Sequence, residues 1–175
     1  MEITERIFDE CFLIELSSRE DKRGSLEICF NESEISKMTD GFTIREQRIY
    51  TMPRRGTFFG IHFQTEPRPQ AKLVSVIRGK GIDYIVDLRK RSDTFGKYRA
   101  IELSGDVPRA VYIPSGFGHA FLSTEDDTVQ LFAIDEYFVN EYSGVINYKD
   151  PAIGLKLPLD DLIMSDRDRY SAFLE

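Results

Sequence analysis

The chain has 175 residues, 41% hydrophobic and 30% charged, with a net charge of −7. That length is usual for one domain and can bury roughly 70% of the unfolded surface, so residues 1–175 read as a single domain that needs neither metal nor disulfide to fold. The composition excludes a disordered chain, the charge argues against nucleic acid as partner, and no apolar run approaches the ~18 residues of a membrane span.

The first residues carry no basic stretch followed by an apolar one. With Cys11 and Cys29 the only cysteines, the expectation is a reduced, cytoplasmic protein. Residues 12–16 predict a strand, followed by a charged stretch ending at Arg23-Gly24. Residues 33–38 predict a short helix capped by Asn31 or Ser33. Residues 43–51 read as extended, 53–56 as a turn, 57–64 as a strand and 66–69 as a proline-punctuated loop. Residues 72–77 and 82–88 predict strands joined by Arg78-Gly79-Lys80-Gly81, which suggests a hairpin. Residues 98–103, 110–113, 119–123 and 129–136 continue the series, and 158–175 could hold one or two short helices. Nine or ten short strands at this spacing predict a sandwich or barrel rather than strand–helix alternation.

Only His62 and His119 are histidines, so no three-histidine metal site exists, and there is no Cys-x-x-Cys pair. Strict alternation puts Phe58, Gly60, His62 and Gln64 on one face of their strand. His62 is then either a satisfied structural histidine or a proton carrier near neutral pH. Lys72 opens an apolar strand, either as a lysine reaching back to water or as a cation set near a developing oxyanion. Asp83 and Asp87 share a face; inside the fold they need partners, and outside it nothing follows. The loop arginines read as a solvated surface from which a few could bind a diphosphate.

Pro114-Ser115-Gly116-Phe117-Gly118-His119 resembles the second motif of the cupins, small jelly-roll barrels. The His-x-His pair of metal-binding cupins is replaced by His62-Phe63-Gln64. The joint order of several runs is more specific. Residues 56–64, Gln70-Ala71-Lys72, Val86-Asp87-Leu88-Arg89, Ser92-x-Thr94-Phe95-Gly96-Lys97, Ile113-Pro114-x-Gly116-x-x-His119-x-Phe121-Leu122, Asp150-Pro151-x-Ile153-Gly154 and Ser165-Asp166-Arg167-Asp168 together resemble the dTDP-4-dehydrorhamnose 3,5-epimerase family.

The resemblance implies an all-β, cupin-type jelly-roll barrel with a few short peripheral helices. It implies a homodimeric enzyme without metal or cofactor, acting on a nucleotide-linked 4-keto-6-deoxyhexose, most readily a dTDP sugar. It matches His62 to the base, Asp168 to its orienting carboxylate and Lys72 to the enolate-stabilising cation. His119 and Asp83 match other polar pocket positions, and Arg23, Gln47 and Tyr137, with Arg167 a further candidate, match positions associated with the nucleotide or sugar. The chain departs from the family at Phe59, where an arginine is usual, and at Ile49, where an asparagine is usual. Counting from His119 with a one-residue gap puts Leu131 at the proton-donor tyrosine, and neither neighbour, Gln130 or Phe132, restores one. The alternatives are therefore inversion at C3, C5 or both, a related isomerisation, or a sugar-nucleotide-binding relative.

Overall fold

The computed structural model describes residues 1–174. Thirteen strands and two short helices lie among them: β1 (Glu2–Phe8), β2 (Cys11–Glu15), β3 (Ser17–Asp21), β4 (Gly24–Ile28), α1 (Glu32–Met38), β5 (Glu46–Met52), β6 (Phe58–Gln64), β7 (Lys72–Arg78), β8 (Lys80–Asp87), β9 (Tyr98–Ser104), β10 (Arg109–Ile113), β11 (Phe117–Ser123), β12 (Thr128–Ile134), β13 (Ser143–Ile146) and α2 (Asp166–Arg169). A six-stranded sheet in the order β1-β2-β10-β7-β12-β5 faces a five-stranded one in the order β13-β6-β11-β8-β9, and β3 pairs with β4 outside both. This is a jelly-roll arrangement of two facing antiparallel sheets, not one closed barrel.

Two expectations need correction. The turn at Gly79 is not a hairpin, because β7 and β8 belong to different sheets. Gly79 has φ +73, and a Cβ there would lie 2.6 Å from Thr128 Oγ1, so only glycine lets the chain cross between the sheets at this corner. The charged stretch before Arg23-Gly24 is a hairpin, β3–β4, with most of its side chains in solvent and hence without the alternation that marks a half-buried strand. Helix α1 forms where expected, and the choice of cap falls on Asn31, whose side chain accepts from the Ser33 amide.

The central strands of each sheet are buried on both faces, which is why they read as nearly continuous apolar runs. Val74, Val76, Val111, Ile85, Phe117 and Phe121 fill the space between the sheets. Leu73, Ala110 and Tyr112, on the outer face of the six-stranded sheet, pack against Ile35 and Phe42 from α1 and the segment after it. Tyr84, Val86, Ala120 and Leu122, on the outer face of the five-stranded sheet, are covered by the C-terminal residues 153–164. Each such buried side chain contributes on the order of 1.5–3 kcal/mol. Beside this core a cavity of about 840 Å³ opens between the two sheets, lined by residues of β5, β6 and β12.

Candidate active site

The cavity is built around β6. A bulge separates the pairs His119↔His62 and Phe121↔Phe59, so Gly60 and Ile61 together oppose Ala120. Strict alternation therefore fails on this strand. Phe59 and His62 both line the cavity, while Ile61 packs in the outer cluster together with Phe58, which also borders the cavity.

The C-terminal segment returns to the same strand. Ile163 bridges Thr57 in parallel, its amide donating to Gly56 O and its carbonyl accepting from the Phe58 amide, each at 2.8 Å. Asn147 then anchors the chain beyond α2 through the carbonyls of Arg169 and Ser171. These contacts set Ser165 as the cap of α2 and deliver Asp168 to His62, with His62 Nε2 2.5 Å from Asp168 Oδ1. Ser165 Oγ donates to the other carboxylate oxygen at 2.8 Å. Gly60 makes room: a Cβ at that position would lie 2.8 Å from Asp168 Oδ1. Burial works to raise the Asp168 pKa, but the hydrogen bonds from His62, Ser165 and the Gly60 amide outweigh it, and the carboxyl lies below its ordinary value. Asp168 is thus an acceptor. His62 Nε2 carries the hydrogen, and Nδ1 keeps the lone pair that can act as a base.

Lys72, at the start of β7, is buried, and its Nζ donates to the His62 carbonyl at 3.1 Å. Burial lowers its pKa to about 8 against the opposing pull of Asp83. Asp83 is fully buried and lies 2.7 Å from His119 Nε2, although neither group forms an aligned hydrogen bond there. A base and a second histidine, backed by the buried Asp83, thus come from the five-stranded sheet, and the cation reaches the base's end of the cavity from the six-stranded one. Among the described residues, no cluster of three His, Cys, Asp or Glu side chains is placed to hold a metal.

The opposite wall comes from β5 and β12. Their register pairs Phe132 with Arg48 and Gln130 with Tyr50, and all four line the cavity. Leu131 pairs with Ile49 and Ser75 on the alternate parity and does not line it. The assignment of the tyrosine position to Leu131 is thus corrected to Phe132, because a one-residue shift in a strand moves a side chain to the other face. Gln47 shares the parity of Leu131 and Ile49, and of these only Ile49 borders the cavity. Arg23 lies on the exposed β3–β4 hairpin in an ion pair with Asp21, and Tyr137, exposed, sits beside Arg45. The structure does not bring Arg23, Gln47 or Tyr137 into the cavity of their own chain. Arg167 does line it, donating to Ser143, and so does Arg48, which sequence reasoning passed over for its neighbour Gln47. Gln64, at the cavity's edge, spends both ends of its amide on the backbone of Arg68, Tyr137 and Val139, beside the cavity-lining Phe138.

The profile of the dTDP-4-dehydrorhamnose 3,5-epimerase family matches residues 5–175. The chain is 41% identical over 165 residues to a dTDP-4-dehydrorhamnose 3,5-epimerase of Methanothermobacter thermautotrophicus, covering 92% of this chain and 88% of that one. It superimposes on a dTDP-4-dehydrorhamnose 3,5-epimerase of Bacillus anthracis, solved with TDP and PPi bound, with a TM-score of 0.95 and 30% identity over 99% of both chains. A 3'-monoepimerase of Streptomyces bikiniensis, solved as a double mutant in complex with dTDP, matches with a TM-score of 0.91 and 28% identity, covering 99% of this chain and 87% of that one. That mutant replaces a histidine and a tyrosine separated by the same number of positions as His62 and Phe132.

Proposed function

The chain belongs to the dTDP-4-dehydrorhamnose 3,5-epimerase family, an isomerase-class family, and on that premise we propose that its cavity epimerises a dTDP-linked 4-keto-6-deoxyhexose at a carbon next to the ketone. The observation that carries this reading is the His62–Asp168 pair at 2.5 Å, with the Lys72 ammonium bonded to the same residue's carbonyl. A proton α to a ketone is weakly acidic, so its removal needs a base and a positive group at the enolate oxygen. His62 Nδ1 takes the proton. Asp168 holds the ring and stabilises the imidazolium, as in other His–carboxylate pairs. Lys72 lies near the forming oxyanion, and the His119–Asp83 pair contacts the sugar beside it. Arg48 and Arg167, at the mouth, are suited to the diphosphate.

A second, narrower reading is inversion at one centre only, since the fold matches a 3'-monoepimerase of Streptomyces bikiniensis over 99% of this chain. We also read the chain as a cytoplasmic homodimer that takes no metal or cofactor. Its two cysteines are unpaired, and Arg23, paired with Asp21, stands on an exposed hairpin that a second copy can meet.

The test is a deuterium wash-in. Protein and dTDP-4-keto-6-deoxyglucose are mixed in D₂O and followed by proton NMR. Loss of the C3 or C5 signal that disappears in His62→Ala supports the reading, and the couplings of the product identify the inverted centre. Binding of the nucleotide sugar without any exchange would refute it in favour of a binding protein.

A further inference from the structure

Inversion requires a proton acceptor on one face of the enolate and a donor on the other. If the proposed function holds, His62 acts from the five-stranded sheet, so the donor must come from the six-stranded sheet across the cavity. Phe132 stands there without a proton to give. Four polar side chains from that sheet line the space: Lys72, Arg48, Gln130 and Tyr50. Lys72 is bonded to the carbonyl of His62 itself, which puts it at the base's own end of the cavity. Arg48 is paired with Glu46 at 2.6 Å, and a guanidinium does not release its proton in a protein. The amide of Gln130 is not an acid. Tyr50 remains.

Its placement suits the task. Tyr50 is the one tyrosine among the described residues that lines the cavity; Tyr84 is buried on the outer side of β8 and Tyr137 lies outside. The Tyr50 ring is held edge-on against Phe59 with centroids 4.2 Å apart, and Phe59 shares the inward face of β6 with His62. Tyr50 is diagonal to Phe132 across the β5–β12 pair, a relation of about 7–8 Å between Cα atoms that aromatic side chains can span. Its register partner Gln130 is buried, and the Gln130 Nε2 has no hydrogen-bond partner. An amide donor left free at the cavity wall is suited to an oxygen that gains charge during the reaction.

We propose that Tyr50 is the acid that protonates the enolate on the face opposite His62, with Gln130 donating to the phenolate this leaves. The Tyr50 O–H bond breaks as the carbon–hydrogen bond forms, and the enolate's electron pair becomes that new bond. The phenolate then regains a proton from water, which its half-exposed position admits. His62 returns to neutrality by releasing the abstracted proton to solvent.

The experiment compares wild type, Tyr50→Phe and Gln130→Met with dTDP-4-keto-6-deoxyglucose in D₂O, reading hydrogen exchange and product configuration separately. Tyr50→Phe is expected to slow inversion by ~100-fold or more while His62 still exchanges the α-hydrogen with retention. Gln130→Met is expected to show a smaller loss confined to inversion. A Tyr50→Phe protein that inverts at the wild-type rate overturns the proposal. So does one that loses exchange and inversion together, because Tyr50 would then serve binding. A wild-type protein that exchanges nothing overturns instead the epimerase reading on which this rests.

Discussion

Replacing Lys72 by methionine should make the protein more stable while removing its activity. Burial lowers the Lys72 pKa from 10.5 to about 8, against the attraction of Asp83. At ~1.4 kcal/mol per unit, holding the ammonium inside at neutral pH costs the folded state ~3 kcal/mol. Methionine has a similar length and no charge. It gives up the bond to the His62 carbonyl, worth ~1 kcal/mol, so the net gain at pH 7 is ~2 kcal/mol. The advantage shrinks with pH in a defined window. Between about pH 8 and 10.5 the unfolded chain keeps a proton on Lys72 that the folded chain has lost. Wild-type stability therefore rises through that window relative to Lys72→Met, and the gap between the two closes. Urea titrations at pH 7 and pH 10 measure both quantities. A variant less stable than wild type at pH 7, or a gap that does not change with pH, would show that Lys72 is not held as a strained cation.

The same residue sets an alkaline limit on turnover: kcat/KM should fall as pH rises through about 8 and the ammonium of the free enzyme is lost, and Lys72→Arg, where it turns over at all, should move that limit upward. Asp168→Asn keeps the shape but removes the charge that stabilises the imidazolium, and kcat is expected to drop by ~10³–10⁴ with little change in KM; a loss confined to KM would contradict the orienting role. Gly60→Ala puts a methyl 2.8 Å from Asp168 Oδ1, so Asp168 must move. Far-ultraviolet circular dichroism should be unchanged while steady-state turnover falls, and a fully active variant would mean that the His62–Asp168 distance does not govern the rate.

Much of the architecture was legible in residue order. Short apolar segments with glycine turns gave the β-class, the helix cap was narrowed to two residues, and the run Ser165-Asp166-Arg167-Asp168 pointed to a C-terminal return over His62. What stayed hidden were quantities that pairing decides. The β3–β4 hairpin has no buried face, so it writes no alternation. The Gly79 turn reads the same whether the next strand pairs with its neighbour or crosses to another sheet; Thr128, far along the chain, decides it. The bulge in β6 depends on β11, and nothing within residues 58–64 announces that Phe59 will face the same way as His62.

The departures at Phe59 and Phe132 form one change in one place, visible only once the parity is known. Counted along the chain, they are two scattered losses of polar groups, and an uncertain gap near His119 moved the second onto Leu131. Across the cavity they lie around Tyr50: Phe59 packs on its ring, and Phe132 sits diagonal to it beyond Gln130. A guanidinium at position 59 would need an acceptor in this wall, and the edge of an aromatic ring offers none. Phenylalanine at 59 can pack against a tyrosine at 50 without that unmet demand. Tyr50 and Gln130 thus place polar groups on β5 and β12 beside the apolar Phe59 and Phe132. On this argument the hydroxyl missing from Phe132 is no evidence that the site is inert. The proposed donor is instead the residue on β5 whose ring packs on Phe59 of β6 and whose register partner on β12 is Gln130, with its free amide.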